Sequence, residues 1–360
     1  MKVTILCAKT GNGHISVAEA IRESFVDNDI ECAIVKDFYE SMSFFFQEMS
    51  DFYNLLQMKS RKMCAAFSEM ILLEGDQTKE KRYAEIEHFL DSFFMNDDSE
   101  LYISVAPLIN YYIVRFFKEH QINKPYYVVV TDPYNPIFPG FSTFGANLYF
   151  VPNNEVKSIL IASGISDSRI KEIGYPVKRE FIETYPKHNK QHRINKTIFI
   201  NSGAHGLERY FKIIEIIKES KIDYHLIVTC GNNTFLYNKL ISQYVNDDQI
   251  EIYLYINQMN EVLSRSDICV TKPGANSIYE CIYKRIPVLI DCQDGMLFQE
   301  KGIIQMLEKN KIGEPFYDYL QLPVLVDRIF NNYSYYIYNL EKIPITNACN
   351  IIASIVTNGL

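Results

Sequence analysis

Residues 11–14 read Gly-Asn-Gly-His, and the histidine is the member of this quartet with chemistry to offer. An imidazole titrates near neutrality, so one held at the rim of a binding site can take a proton from an attacking hydroxyl. The glycines specify less. A dinucleotide fingerprint needs a third glycine where Ser16 stands, and a triphosphate loop needs the Gly-Lys-Ser/Thr that is missing here. The same spacing is equally compatible with His14 as a helix cap or a solvated side chain.

A second set of groups lies in the stretch SRSDICVTKPGANSIYECIYKRIPVLID, residues 264–291. An apolar run ends at Thr271, Lys272-Pro273-Gly274 form a sharp turn, and the spacing predicts a helix from Ala275. The free N–H groups and positive dipole end of such a helix attract anions. Glu280 falls one to two turns further on, set back from that anion site, where a carboxylate would accept hydrogen bonds from ribose hydroxyls. A solvated helix face is the alternative for Glu280. Ser202-Gly203-Ala204-His205-Gly206 makes a second anion-friendly turn. Two such turns and one carboxylate in one region suggest a nucleoside diphosphate.

These groups need elements to hold them. Strands are expected at 2–7, 32–36, 101–105, 126–131 and 147–151, with helices at 14–27, 41–72, 80–94, 107–120 and 153–163. After the polar run YPKHNKQHRINK (185–196) the alternation restarts. Strands are expected at 196–201, 225–230, 251–255, 268–271 and 287–291, with helices at 207–220, 234–244, 258–264 and 275–284. Alternating strands and helices imply parallel sheets. The α/β chain therefore divides into two Rossmann-like domains, 1–184 and 185–325, facing each other across a cleft. A partly helical segment, 326–360, ends the chain. Gly13 and His14 then sit at the carboxyl end of the first strand, where open α/β sheets place ligands.

The 360 residues, 48% hydrophobic and 14% aromatic, suffice for two full cores. A net charge of −8 argues against non-specific binding of nucleic acid. The charge is uneven: residues 1–182 hold 18 basic and 25 acidic side chains, a balance of −7, which leaves −1 for residues 183–360. None of the eight cysteines forms a C-x-x-C pair, and several lie in apolar runs, so buried thiols in a reducing cytoplasm are expected. No signal peptide is expected before the first strand, which begins close to Met1. The most apolar long stretch, 101–117, is interrupted by Ser104, Pro107, Asn110 and Arg115 and is not expected to span a membrane.

The stretch MNEVLSRSDICVTKPGANSIYE resembles the donor-binding signature of GT-B glycosyltransferases. Within these it resembles the group of monogalactosyldiacylglycerol synthases, processive diacylglycerol glucosyltransferases and the lipid II-forming N-acetylglucosaminyltransferase. GNGHISVAEAI, VTDPYNP, YFVPNNEV, IGYPV, NSGAHG, VTCGNN, YINQMNEVL, TKPGANSIYE and FQEKG follow in the order of that group, over roughly residues 1–315. The resemblance implies a UDP-sugar donor. It assigns the uracil to backbone near Tyr255 and Ile256, with Met259 beneath the base. It assigns the ribose to Glu280, the diphosphate to the turns at Ser202–Gly203 and Gly274–Ala275–Asn276, and the sugar hydroxyls to Gln299 and Glu300. In the first domain it implies Gly13 as a donor-binding residue and His14 and Asp132 as the catalytic residues. It also implies that the C-terminal helix returns to the first domain.

Diphosphate departure can be stabilised by N–H groups and helix dipoles, so an inverting, metal-independent transfer with no cofactor is expected. The single D-x-D, Asp27-Asn28-Asp29, falls away from the expected site. His205 is a candidate diphosphate contact. The group often carries histidines where this chain has Ala106 and Asn135, which leaves the acceptor open between a lipid such as diacylglycerol and a soluble hydroxyl. Residues 41–75 favour a lipid: Phe45, Met49, Phe52 and Leu56 fall on one helical stripe, with Lys59, Arg61 and Lys62 expected at headgroup level. The enzyme would then be cytoplasmic, peripheral on the inner face of the membrane. A nucleotide-sugar epimerase or hydrolase of the same fold, or a non-catalytic nucleotide-sugar binder, are the other readings.

Overall fold

The computed structural model describes residues 1–10, 12–73, 75–183, 196–220 and 223–359. Gly11 and most of the polar run 185–196 lie outside the described residues. The chain forms two compact units. The first comprises Met1–Arg179, Leu297–Gly302 and Thr346–Leu360, and the second Glu180–Met296 and Ile303–Ile345. Two short pieces from the far end of the sequence therefore belong to the first unit: Thr346–Leu360, in line with the expected return of the C-terminal helix, and Leu297–Gly302, which the linear division did not anticipate.

In the first unit six parallel strands run in the order β2-β1-β3-β4-β5-β6. They are β1 Lys2–Leu6, β2 Glu31–Val35, β3 Leu101–Ser104, β4 Tyr126–Val129, β5 Leu148–Val151 and β6 Ile170–Glu172. A parallel sheet is covered by helices on both faces, so its central strands are apolar throughout rather than alternating. Accordingly β3, β4 and β5 are buried at every residue, whereas edge strand β2 is half exposed. Val3 of β1 pairs with both Cys32 and Leu101, and the chain winds outward from β1 in opposite directions. Many of the buried aromatic side chains share one core. Phe94 makes edge-on contacts with Tyr102 at 4.9 Å and Phe117 at 4.8 Å, inside a core that includes Phe38, Phe116 and Tyr126. The helix Ala348–Asn358 packs on the helix Gly13–Asp27, where Ser24 Oγ donates to Asn350 Oδ1 at 2.7 Å. The end of the chain thus returns to the first unit.

The second unit repeats the plan with β7 Lys196–Asn201, β8 Tyr224–Thr229, β9 Ile250–Tyr253, β10 Ile268–Thr271, β11 Val288–Asp291 and β12 Gly313–Phe316. Their order is β12-β11-β10-β7-β8-β9, again all parallel. This core is largely aliphatic, with Ile198, Ile200, Ile213, Leu226 and Val228 fully buried.

Two expectations are corrected. The helix expected at 41–72 is three helices, Phe38–Ser41, Phe44–Lys59 and Arg61–Leu72. The break falls at Ser60, whose backbone is extended (φ −161°, ψ 113°) and whose hydroxyl accepts the Met63 N–H at 3.3 Å. A serine that caps the next helix interrupts an apolar pattern that continues through it. Strands β6 (IKE) and β12 (GEPF) were not expected, being short edge strands with no apolar run. The cysteines follow expectation: all of the eight but Cys32 are buried.

Two turns at the carboxyl edge of the second sheet interlock. Gly206 has φ +62° and lies so close to Cys230 that a Cβ would stand 1.9 Å from its carbonyl oxygen. Asn232 donates its N–H to Ala204 at 2.9 Å, and the Asn233 amide donates to the Gly206 carbonyl at 2.7 Å. Gly206→Ala imposes both an unfavourable φ and a backbone clash. It should destabilise the protein by about 2–4 kcal/mol in urea denaturation, and an unchanged midpoint would refute the tight approach of these turns.

Candidate functional site

Each sheet reverses its winding between two adjacent strands, and at such a switch point the flanking loops part to leave a ligand crevice beyond the strand ends. In the first unit the reversal lies between β1 and β3. His14 is at the second position of the helix that follows β1. Its ring hydrogen-bonds the backbone of Val105, just past β3, and its Nδ1 lies 3.4 Å from Oγ1 of Thr131, just past β4. Three strand ends therefore meet at one imidazole. Burial lowers His14 to about 4, so the half-buried ring is neutral at physiological pH. Gly13 is exposed, and a Cβ there would meet nothing within 4 Å, so packing gives no reason for its being glycine.

Asp132 follows Thr131 and is buried. Burial raises its carboxyl to about 7. The Phe138 N–H, donating to Oδ2 at 2.7 Å, works against that rise, and the negative charge of Glu300 adds to it. Glu300 reaches this neighbourhood because Leu297–Gly302 is part of the first unit. It forms a buried ion pair with Arg61 and accepts the Leu297 N–H at 2.7 Å. Leu297 packs with Leu56, Cys64 and Phe67, and at Gly302 a Cβ would stand 2.3 Å from the Asn135 carbonyl. The segment is thus wedged between the helix Arg61–Leu72 and the loop that carries Asp132.

This changes the expected grouping of Gln299 and Glu300. They belong to the first unit, not to the domain 185–325, because an ion pair and an apolar anchor hold them there. Gln299 Oε1 is buried without a partner among the described residues. Arg61 is likewise not at headgroup level: it is 5% exposed and engaged with Glu300. Of the expected stripe, Phe45 and Phe52 are exposed, Met49 is half-buried and Leu56 is buried. Further exposed apolar side chains of this region are Phe44, Leu55, Met58, Met63, Met70 and Leu73, with Lys59 and Lys62 exposed among them.

In the second unit the winding reverses between β7 and β10, where Asn201 pairs with Thr271. The turn after β7 is built by its own side chains. Ser202 Oγ donates to the Thr229 carbonyl at 2.5 Å, and Gly203, at φ +77°, donates its N–H to Asn201 Oδ1 at 3.0 Å. The Asn201 amide donates to Ser277 Oγ at 3.4 Å. Ser277 lies in the first turn of the helix Ala275–Tyr283, which follows β10 and has Gly274 as its N-cap with no side-chain cap. One asparagine thereby joins the two turns. Ala275 and Asn276 open this helix, and Glu280 is half-buried on it. Tyr255 and Ile256 follow β9, with Tyr255 55% exposed, and Met259 begins the helix Met259–Arg265. His205 Nε2 is buried without a partner among the described residues, and burial and the charge of Lys272 lower the imidazole.

Asp27-Asn28-Asp29 lies between the helix Gly13–Asp27 and the start of β2, at the amino edge of its sheet, where Asp27 pairs with Arg179 at 2.5 Å. A feature that sequence reasoning missed is the ion-pair network under the second site. Arg209 donates from Nε to the fully buried Asp291 at 2.8 Å and from Nη1 to Asp294 at 3.2 Å. Partners 82 residues apart leave no local pattern to detect.

The raised Asp132 carboxyl carries a stability consequence. The folded state holds this proton more tightly than the unfolded chain, so its contribution is intact below about pH 4 and is lost as pH rises towards 7. Asp132→Asn should therefore stabilise the protein by on the order of 2–4 kcal/mol at pH 8 and by little at pH 4. Urea denaturation at both pH values checks this; equal destabilisation at both would contradict the buried, proton-retaining carboxyl.

Comparison with known proteins agrees with this architecture. Residues 14–177 match the family model of monogalactosyldiacylglycerol (MGDG) synthase, and residues 197–291 match the glycosyltransferase family 28 C-terminal domain. A processive diacylglycerol beta-glucosyltransferase of Bacillus cereus is 26% identical over 320 residues, covering 84% of this chain and 80% of the relative. One of Bacillus cytotoxicus is 24% identical over 328 residues, covering 86% and 82%. Among solved structures, MurG of Acinetobacter baumannii superposes with a TM-score of 0.66 at 9% identity, covering 99% of both chains. The UDP-GlcNAc 2-epimerase of Neisseria meningitidis, solved with UDP-GlcNAc, gives 0.59 at 13% identity over the whole of both chains. At such identities these two likenesses concern the fold. Two six-stranded parallel sheets, each with its groups at the switch point, give the chain the GT-B fold, and the family matches on both halves make it similar to the glycosyltransferases of the monogalactosyldiacylglycerol synthase and processive diacylglycerol glucosyltransferase group.

Proposed function

We propose that the protein transfers a hexose from a UDP-sugar to a lipid hydroxyl, diacylglycerol being the simplest acceptor, with inversion and without a metal. The observation that carries the donor half is the joined pair of turns at the ends of β7 and β10, Ser202–Gly203 and Gly274–Asn276. They bring a helix N-terminus with no side-chain cap and a glycine turn to one switch point, an arrangement suited to a diphosphate. Glu280 then accepts from the ribose, Tyr255 and Ile256 border the base, and Met259 lies beneath it. The lipid acceptor rests on the named activity of the relatives, and the exposed apolar side chains around Lys59 and Lys62 are consistent with a peripheral position at the cytoplasmic face of a membrane. Among the described residues no helix is long and apolar enough to cross one.

In this reading the acceptor oxygen attacks the anomeric carbon from the face opposite the diphosphate. The bond from that carbon to the phosphate oxygen breaks, and its electron pair leaves with UDP. Asp132 takes the acceptor proton. Its carboxyl, held at about 7, is matched to neutral pH, which favours it over an imidazole lowered to about 4. His14, neutral and fixed by Val105 and Thr131, orients the hydroxyl. Gln299 offers its unpartnered amide oxygen to a sugar hydroxyl, while Glu300, engaged with Arg61, tunes Asp132. An epimerase shares the fold, and UDP-GlcNAc conversion without any acceptor would mark it.

Incubation with labelled UDP-glucose, UDP-galactose and UDP-N-acetylglucosamine, each with and without diacylglycerol vesicles, separates these readings. We expect label in lipid from one donor, undiminished by EDTA, with kcat falling below about pH 7 as Asp132 is protonated. Label in a soluble acceptor alone would overturn the lipid reading. Activity lost to EDTA and restored by Mg²⁺ would overturn the metal-free one, and an acid limb near pH 4 would move the base to His14.

A further inference from the structure

His14 stands at the start of the helix Gly13–Asp27, whose N-cap Asn12 makes no side-chain bond to it. The place of the imidazole therefore depends on what holds the chain between β1 and that cap. Cys7 donates its N–H to the Val35 carbonyl at 3.0 Å and accepts the Tyr39 N–H at 3.3 Å. Lys9 is held at both ends of its backbone. Its N–H donates to Glu40 Oε1 at 2.8 Å, and its carbonyl accepts from the side-chain amide of Asn54 at 3.0 Å. Glu40, in the helix Phe38–Ser41, is 3% exposed. Its Oε1 also accepts the buried Ser50 hydroxyl at 2.7 Å, and its Oε2 is buried without a hydrogen-bond partner among the described residues. Ser50 and Asn54 are four residues apart, on one face of the helix Phe44–Lys59. Side chains from two helices thus clamp one backbone residue. The Lys9 ammonium pairs instead with Asp37 at 3.1 Å.

We propose that Glu40 and Asn54 are positioning residues for the transfer: by fixing Lys9 they set where the glycine turn ends, and with it where His14 stands. The inference rests on the transferase reading, in which His14 orients the acceptor hydroxyl, and assigns a role to residues that reading leaves unused. Four residues separate Lys9 from His14, and two of them are glycine, so the link has little stiffness of its own. A displacement of about 1 Å at a reacting group costs roughly a hundredfold in rate. What Glu40 supplies is an acceptor oxygen, not a charge. Glutamine at this position keeps an oxygen for the Lys9 N–H and the Ser50 hydroxyl and places its amide on the unpartnered side. Burial raises the Glu40 carboxyl above its ordinary value, so the neutral form suits the place. Alanine removes both bonds and frees the Lys9 N–H. Aspartate at position 54 removes the donor to the Lys9 carbonyl with little change of shape.

The test uses the full chain as wild type, Glu40→Ala, Glu40→Gln and Asn54→Asp. Three quantities are read: transfer from UDP-sugar to diacylglycerol vesicles, UDP affinity by calorimetry, and the ring signals of His14 by NMR, assigned with His14→Gln. Glu40→Ala and Asn54→Asp should each lower kcat about tenfold to a hundredfold and shift the His14 ring signals. UDP affinity and the KM for donor should stay as in wild type, which also reports that the variants are folded. Glu40→Gln should recover most of kcat and the wild-type ring signals. Should Glu40→Ala fail to fold, Asn54→Asp carries the same comparison. Wild-type kcat and ring signals in Asn54→Asp would overturn the proposal. So would a Glu40→Gln variant as slow as Glu40→Ala, because the carboxylate charge and not the grip would then matter. A wild-type protein that transferred no sugar would overturn the transferase reading, while the ring signals would still show whether Glu40 and Asn54 place His14.

Discussion

The second site depends on one side chain at the end of one strand. Asn201 closes β7, holds the Gly203 N–H with its oxygen at 3.0 Å and reaches Ser277 with its amide at 3.4 Å. Parallel pairing of Asn201 with Thr271 sets β7 and β10 side by side, so the turns leaving them emerge at one edge. The sheet supplies the proximity and the asparagine fixes the register between the turns. The buried Arg209–Asp291 pair and the interlocked glycines 206 and 231 then keep that edge from collapsing into the space. An alanine at either glycine would press on backbone oxygens, so the turns hold their shape through close contact and not through bulk.

The first unit reaches its site by a different route. His14 is held by bonds to residues after β3 and β4, a consequence of the same winding rule. Asp132 is controlled electrostatically. It is buried, bonded to one N–H and pushed upward by Glu300, which is itself held by Arg61. A buried ion pair contributes little net stability once desolvation is counted, but removing one member leaves a costly uncompensated charge. Arg61–Glu300 therefore reads as a fixture of position. It keeps Leu297–Gly302, distant in sequence, against the loop that carries Asp132.

Much of this was legible in the sequence where the pattern is local. Apolar runs marked ten of the twelve strands, and the turn residues after β1, β7 and β10 marked both switch-point edges. The order of the motifs also pointed to the fold and the family. What was not legible came from partners far apart in the chain or from single capping residues. Ser60 looks like any polar interruption of an amphipathic stripe until its hydroxyl is seen on Met63. Arg61 sits in a basic cluster with Lys59 and Lys62, and nothing in its spacing announces a carboxylate at position 300. Gln299 and Glu300 follow the second series of strands, so sequence order placed them with that series, whereas Leu297 anchors them among Leu56, Cys64 and Phe67. The edge strands β6 and β12 carry too few apolar residues to be distinguished from loops.

The proposed transfer requires that a nucleoside diphosphate be held at the joined turns after β7 and β10. Amide hydrogen exchange with and without saturating UDP tests it at those residues. Slowed exchange is expected at 202–206 and 274–277, where the turn N–H groups become phosphate donors, with further protection at 255–259 from the base. Protection confined to other segments, or none at these turns when UDP is bound, would contradict it.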